Sequence, residues 1–228
     1  MQGRLITFEG IDGVGKSTHA ALLAGHLHAQ GLRVELFREP GGTPLGESLR
    51  ELIKSGSAES GLSELLLFAA ARAELVQHRI KPLLQDGATV VLDRFTDSSV
   101  AYQGSLDDVE DSVLVSICLA AAGGLYPDLT FWFDLEPEAA LRRRHGGEQA
   151  ELPIPGGGRA PDAIERRTIE YFTRVRERYL SIHHSDPERV QRIDCSGSVE
   201  QTWETVRSIA GDALRRWQHP GRVNGAAH

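Results

Sequence analysis

The stretch EGIDGVGKST, Glu9 to Thr18, follows a short apolar run and carries the spacing G-x-x-x-x-G-K-[ST] from Gly10 to Ser17. Residues of these types at this spacing hold phosphates. Gly10, Gly13 and Gly15 permit a tight, closely approaching backbone, Lys16 reaches the β- and γ-phosphates, and Ser17 offers a hydroxyl to Mg²⁺. A helix that starts here turns its positive dipole end toward the same anion. Holding a triphosphate is half a reaction, and the other half is the group that receives the phosphoryl.

Four further stretches bear on that receiver. In TVVLDR an acidic residue, Asp93, closes an apolar strand, where a phosphate-loop protein holds Mg²⁺ or its water shell. Arg94 follows it, and Arg38 precedes Glu39-Pro40-Gly41-Gly42 after another strand. Each arginine alone is an ordinary surface residue. Two at strand ends beside a triphosphate site suit a second anion, because an arginine fork grips phosphate oxygens in pairs. In LFAAARAEL, Phe68 and Arg72 stand one helical turn apart across small alanines. A core Phe beside an exposed Arg accounts for that spacing; so does a flat base stacked on Phe68 with Arg72 donating to its carbonyl. DRFTDSSVAYQG, from Asp93 to Gly104, adds Ser98, Ser99, Tyr102 and Gln103, a loop that caps the next helix or reads the edge of a base.

These residues need a scaffold. Strand-like runs recur at Leu5–Glu9, Val34–Arg38, Thr89–Asp93, Leu129–Asp134 and Val190–Asp194. Helical spacing fills Ser63–Leu84, Asp107–Ala122, Pro161–His184 and Ser198–Trp217. The alternation predicts an α/β sandwich around a parallel sheet, whose ligands gather at the strands' carboxyl ends. The Gly/Pro-rich stretch 146–161 reads as a mobile loop between helices, and the tail after Trp217 as frayed. Segment Val113–Leu119 is apolar nearly all round, which predicts burial on more than one side, by the core or by a second subunit.

At 228 residues with 40% hydrophobic and 25% charged content, the chain suits one soluble domain. A formal charge of −7 argues against a nucleic-acid partner. The early first strand leaves no space for a signal peptide, and no apolar run is long enough to span a membrane. Cys118 and Cys195 have no metal or redox spacing, so they read as small core residues in a reducing, cytoplasmic setting. The nine histidines form no ligand grouping.

Taken together, FEGIDGVGKST, REPGGTPLGESLR, LLLFAAARAEL, VVLDRFTDSSVAYQG, LYPDLTFWFDL and RVRERYL resemble the bacterial thymidylate kinase family across nearly the whole chain. The resemblance implies a P-loop NTPase fold of the nucleoside-monophosphate-kinase kind. Its parts are a five-stranded parallel sheet flanked by helices in a single domain (1–217), a mobile lid of about 142–163 and a tail at 218–228. It implies ATP and dTMP as substrates, Mg²⁺ as cofactor and a homodimer. Gly10, Ile11, Asp12, Gly13, Val14, Gly15, Lys16, Ser17 and Thr18 would hold ATP, with Ser17 and Asp93 at the metal. Phe68 would stack on thymine, Arg72 would reach its O4, and Ser99 and Gln103 would serve the rest of the base edge, with Ser98 also among the dTMP-binding residues. Tyr102 would lie under the deoxyribose and Asp12 near the 3′-hydroxyl. Arg38 and Arg94 would take the dTMP phosphate, while Arg50 and Glu39 line the same pocket and Glu39–Pro40 is cis.

The chain departs from its relatives in two places. Gly13 stands where some carry a P-loop arginine, and the Asp-Arg pair after the bacterial lid reads Asp162-Ala163. The remaining donors to the transferring group are Arg142, Arg143, Arg144 and Arg159. Arg159, at the end of the loop, is the expected catalytic one, and Arg143, further back on a helix, would serve ATP at its adenine. An acceptor phosphate with a second pKa of about 6 needs no general base. Two alternatives stay open: a kinase for another pyrimidine nucleotide, and a nucleotide-dependent switch. The switch lacks support, because the only Asn is Asn224 and a guanine-reading N-K-x-D motif cannot form.

Overall fold

The computed structural model describes residues 3–146 and 167–218, with the side chains of 144–146 outside that description. Beyond its first residues the expected lid lies outside it as well, together with Arg159, the Arg144 side chain and the tail after Gln218.

Apolar runs rich in β-branched and aromatic residues form β1 (Arg4–Glu9), β2 (Val34–Arg38), β3 (Thr89–Asp93), β4 (Leu129–Asp134) and β5 (Val190–Asp194). They pair in parallel in the order β2-β3-β1-β4-β5. The register sets Arg38 and Phe8 both opposite Asp93, Glu9 opposite Trp132 and Asp134 opposite Asp194. The carboxyl ends of all five strands therefore finish on one edge, and the chemistry-bearing loops leave from that edge.

Helices cover both faces, as a parallel sheet requires. They are α1 (Lys16–Ala29), α2 (Pro44–Ser55), α3 (Gly61–Leu75), α4 (Lys81–Gln85), α5 (Thr96–Tyr102), α6 (Asp111–Ala122), α7 (Pro137–Gly146), α8 (Ile169–Ser185) and α9 (Val199–Gln218). Ile6, Phe8 and Val91 join Leu23, Tyr179 and Val206 in the main core, while Leu5, Val90 and Leu92 meet Leu75, Ile80 and Phe95 on the other face. A third cluster, with Leu65, Leu114 and Cys118, fastens α3 to α6.

The strands agree with the sequence expectation to within one residue; the helices differ in instructive ways. The expected helix Ser63–Leu84 is α3 and α4 joined by a π-helical stretch, Val76–Ile80. Pro82 sits in the first turn of α4, where its missing N–H is not required. The helix expected from Asp107 starts at Asp111, because Asp108 Oδ2 accepts from Gly61 N at 2.8 Å and holds the preceding loop on the start of α3. The segment expected as a loop, Asp93 to Gly104, contains α5 and a 3₁₀ turn, Gln103–Ser105. Its Ser and Asp residues weaken intrinsic helicity. Tertiary partners compensate, since Asp97 pairs with Arg189 at 2.6 Å and Ser98 donates to Glu9 at 2.5 Å. On α6, Leu114, Cys118, Ala121 and Ala122 are buried, whereas Val113, Val115 and Leu119 are exposed.

Candidate active site

Gly10, Gly13 and Gly15 all adopt positive φ, and a Cβ at Gly10 would meet Phe133 O at 2.4 Å. Only glycine fits that approach. Ile11 and Val14 bury their side chains in the main core and so anchor the loop from below. Helix α1 starts on Gly15 with no side chain bonded to its first amides and no acidic residue in its first turn, which leaves an anion site at its N-terminus. Lys16 is buried and donates to Ile11 O at 2.7 Å, with Asp12 at 3.9 Å. Burial, and then the charge of Arg94, lower its pKa to about 8. Ser17 and Thr18 are exposed at the mouth of the loop.

Ser17 Oγ donates to Asp93 Oδ2, and Asp93 Oδ1 is buried with no hydrogen-bond partner. A hydroxyl and an orphaned carboxylate oxygen at one point fit Mg²⁺, a hard cation that takes few protein ligands and fills its shell with phosphate oxygens and water. A cleft of about 380 Å³ opens beside them, lined by Phe37, Arg38, Gly42 and Glu47.

Arg94 is the one non-glycine residue at positive φ among the described residues, at 73°. Strain of this kind costs on the order of 1–3 kcal/mol and persists only where surroundings hold it. Four partners do so. Nη1 donates to Gly10 O at 3.1 Å and Ser98 Oγ at 3.0 Å; Nη2 donates to Asp12 Oδ1 at 2.5 Å and Tyr102 OH at 3.1 Å. The guanidinium also lies 4.8 Å from the centre of the Tyr102 ring. Beneath it, Glu9 accepts from Phe95 N at 2.7 Å, Ser98 Oγ at 2.5 Å and Tyr179 OH at 3.0 Å. Burial, then the charge of Asp97, push the Glu9 carboxyl up to about 7.

After β2, the Glu39–Pro40 bond is cis. Arg38 is exposed and lies 3.4 Å from Glu47, while Arg50 on α2 donates to Pro40 O at 3.1 Å. Arg72, 1% exposed, pairs with Glu39 at 2.8 Å and donates to Phe95 O at 2.9 Å and Ser99 Oγ at 3.0 Å. Burial pushes Glu39 up to about 7 against the pull of Arg72. Arg72 Nη1 and Glu39 Oε1 remain buried without hydrogen-bond partners. One turn before Arg72, Phe68 is half-buried and belongs to none of the core clusters among the described residues.

The strand ends thus gather Lys16, Ser17, Asp93 and Arg94 at one place, with Arg38, Glu39, Arg50 and Arg72 around a neighbouring one. Ser98 is engaged by Glu9 and Arg94 instead of standing open, whereas Ser99 meets Arg72. Arg143 on α7 donates to Cys195 O at 2.7 Å and Ser196 O at 3.2 Å, binding its helix to the loop after β5. Sequence reasoning missed several members. Glu9 closes a strand as Asp93 does, and that signal could have found it. Glu64 lies one turn before Phe68 and bonds to Gln103 Nε2 at 2.7 Å; extending the Phe68/Arg72 spacing backward reaches it. Tyr179 lies within RVRERYL, but its contact with Glu9, 170 residues away, has no local signal.

The match to the thymidylate kinase family model runs over residues 8–206. A thymidylate kinase of Pelodictyon phaeoclathratiforme is 39% identical over 95% of this chain and 99% of its own length. One of Prosthecochloris aestuarii is 44% identical over 92% and 96%. A crystal structure of thymidylate kinase from Ehrlichia chaffeensis superimposes with a TM-score of 0.72 at 32% identity, over 92% of this chain and 99% of that one. The chain belongs to the thymidylate kinase family.

Proposed function

We propose that the chain transfers the γ-phosphoryl group of ATP to dTMP, giving dTDP and ADP, and that the groups at the strand ends divide the work. The observation that carries this reading is Arg94, one guanidinium bonded both to the phosphate loop and to α5, the helix of the acceptor side. Two polyanions repel, and a fixed cation between them lowers the cost of their approach. Lys16 and the α1 N-terminus hold the ATP phosphates. Ser17 and Asp93 would hold Mg²⁺, which when bound would supply positive charge to offset that of the phosphates. Arg38 and Arg94 orient the dTMP phosphate so that its ionised oxygen attacks in line and no base is needed.

On the acceptor side Phe68 stacks on thymine, Arg72 donates to O4, and Ser99 and Gln103 take the rest of the edge. Tyr102 lies under the sugar, and Asp12, held by Arg94, approaches the 3′-hydroxyl. Arg143 serves adenine beside the loop after β5, and Arg159 supplies the transition-state cation that Gly13 cannot. The enzyme works as a cytoplasmic homodimer through α6, whose Val113, Val115 and Leu119 are exposed, as are Leu62 and Leu66 on α3, the helix packed against it. A coupled ADP-release assay over dTMP, dUMP, dCMP and free thymidine tests the assignment. The highest kcat/KM is expected for dTMP, with dUMP next because one methyl contact is worth only ~1–3 kcal/mol. A better rate with dCMP or thymidine refutes it.

A further inference from the structure

Glu64, Phe68 and Arg72 lie one turn apart on α3, and Ser99 and Gln103 one turn apart on α5 and the turn that follows it. The two stripes meet. Arg72 Nη2 donates to Ser99 Oγ at 3.0 Å, and Gln103 Nε2 donates to Glu64 Oε1 at 2.7 Å. The other oxygen of Glu64 accepts from Arg167 Nη2 at 2.5 Å, and Arg167 Nη1 donates to Tyr171 OH at 2.6 Å. Glu64 is 7% exposed and Gln103 2%, so water has little access with which to rearrange the pair.

A primary amide is nearly symmetrical in shape but not in polarity. A half-turn about its last bond exchanges donor and acceptor, and only its partners decide between the two. A carboxylate accepts and cannot donate. It therefore compels the Gln103 NH₂ toward Glu64 and leaves the carbonyl Oε1 on the opposite side, where no described residue bonds to it. On the guanidinium held by Ser99, Arg72 Nη1 is a buried donor without a partner. One donor and one acceptor match thymine O4 and N3–H, and clash with the amine and bare N3 of cytosine at both points. A rotated Gln103 would donate to cytosine N3 and remove half of that clash.

We propose that Glu64 is a specificity-determining positioning residue: its carboxylate fixes the Gln103 amide in the sense that accepts from thymine N3–H and so turns cytosine away. This rests on the base-pocket reading given above. Glu64→Gln is the direct test, because a glutamine at this position either accepts or donates and releases Gln103 to turn. Steady-state kcat/KM for dTMP and dCMP should then converge on the order of tenfold, part of the change being an absolute gain with dCMP carried by KM. Arg167→Gln, which removes the ion pair but leaves Glu64 an acceptor only, should keep the parent ratio within about threefold. An unchanged ratio in Glu64→Gln, a fall without any gain on dCMP, or the same effect in Arg167→Gln would overturn the proposal. Gln103→Leu separates the two levels. If it keeps the parent ratio, the base-pocket reading itself fails; if it loses the ratio while Glu64→Gln retains it, only the role of Glu64 fails.

Discussion

Lys16 sits where its charge is hardest to keep, buried beside Arg94 with a pKa lowered to about 8. The phosphates of ATP favour the charged form, so ATP binding near pH 8 should take up a proton. Affinity should weaken above pH 8, approaching roughly tenfold per unit. Calorimetry in two buffers of different ionisation enthalpy measures the uptake; a flat affinity from pH 7 to 9 with no uptake would contradict it. Phe68→Ala should weaken dTMP binding by ~1–3 kcal/mol through lost stacking and leave ATP binding unchanged, as a titration of each ligand would reveal. Arg72 carries a second burden, because it neutralises Glu39 in the interior. Arg72→Ala leaves that carboxylate alone and should cost ~3–5 kcal/mol of stability. The pair change Arg72→Met with Glu39→Gln should unfold later in urea than Arg72→Ala alone; an earlier transition would mean the ion pair is not the main cost. Phe68 and Arg72 were legible as a one-turn pair, but the engagement of Ser98 by Glu9 was not, since its partner lies 89 residues away.

Among the elements, α6 carries the clearest unfinished surface. Its apolar pattern was legible from Val113–Leu119, and the fold assigns Leu114 and Cys118 to the core while leaving Val113, Val115 and Leu119 outward. Leu119→Glu adds a charge to that face without touching the buried side. Sedimentation should show the parent as a dimer at micromolar concentration and Leu119→Glu as a folded monomer; a monomeric parent would sink the dimer reading. The three inner strands β1, β3 and β4 were legible because runs buried on both faces are continuous in the sequence, whereas β2 and β5, partly exposed at the sheet edges, were legible from their place in the strand–helix alternation. Helix α5 was not, because its stability comes from Arg189 and Glu9 and not from its own propensities. The start of α6 was misread for a related reason: Asp108 is held by the α3 N-terminus, a contact no local pattern announces.

At the scale of the whole molecule, the site imposes a stability cost that depends on pH. Glu9 and Glu39 have native pKa values of about 7 against an ordinary 4.5. Between those values the folded chain keeps protons that the unfolded chain has released, so each group lowers stability as pH rises, by up to ~1.4 kcal/mol per unit. Above pH 7 the loss is complete and constant. Urea unfolding should therefore give a higher midpoint at pH 5.5 than at pH 8, with Glu9→Gln flattening that difference; an unchanged slope would assign the proton elsewhere. The sheet and the phosphate loop could be read from motifs and periodicity, whereas the polar network beneath Arg94 required the tertiary fold. In the proposed function this network brings two phosphates together so that one phosphoryl group moves between them, and that role is open to direct measurement. The measurement incubates the protein with Mg²⁺, dTMP, dCMP and ATP labelled in its γ-phosphate, then separates the nucleotides. Label is expected in dTDP, equal in amount to the ADP formed, with little in dCDP or inorganic phosphate. Label released as inorganic phosphate while dTMP stays unchanged, or carried faster to dCMP, would contradict it.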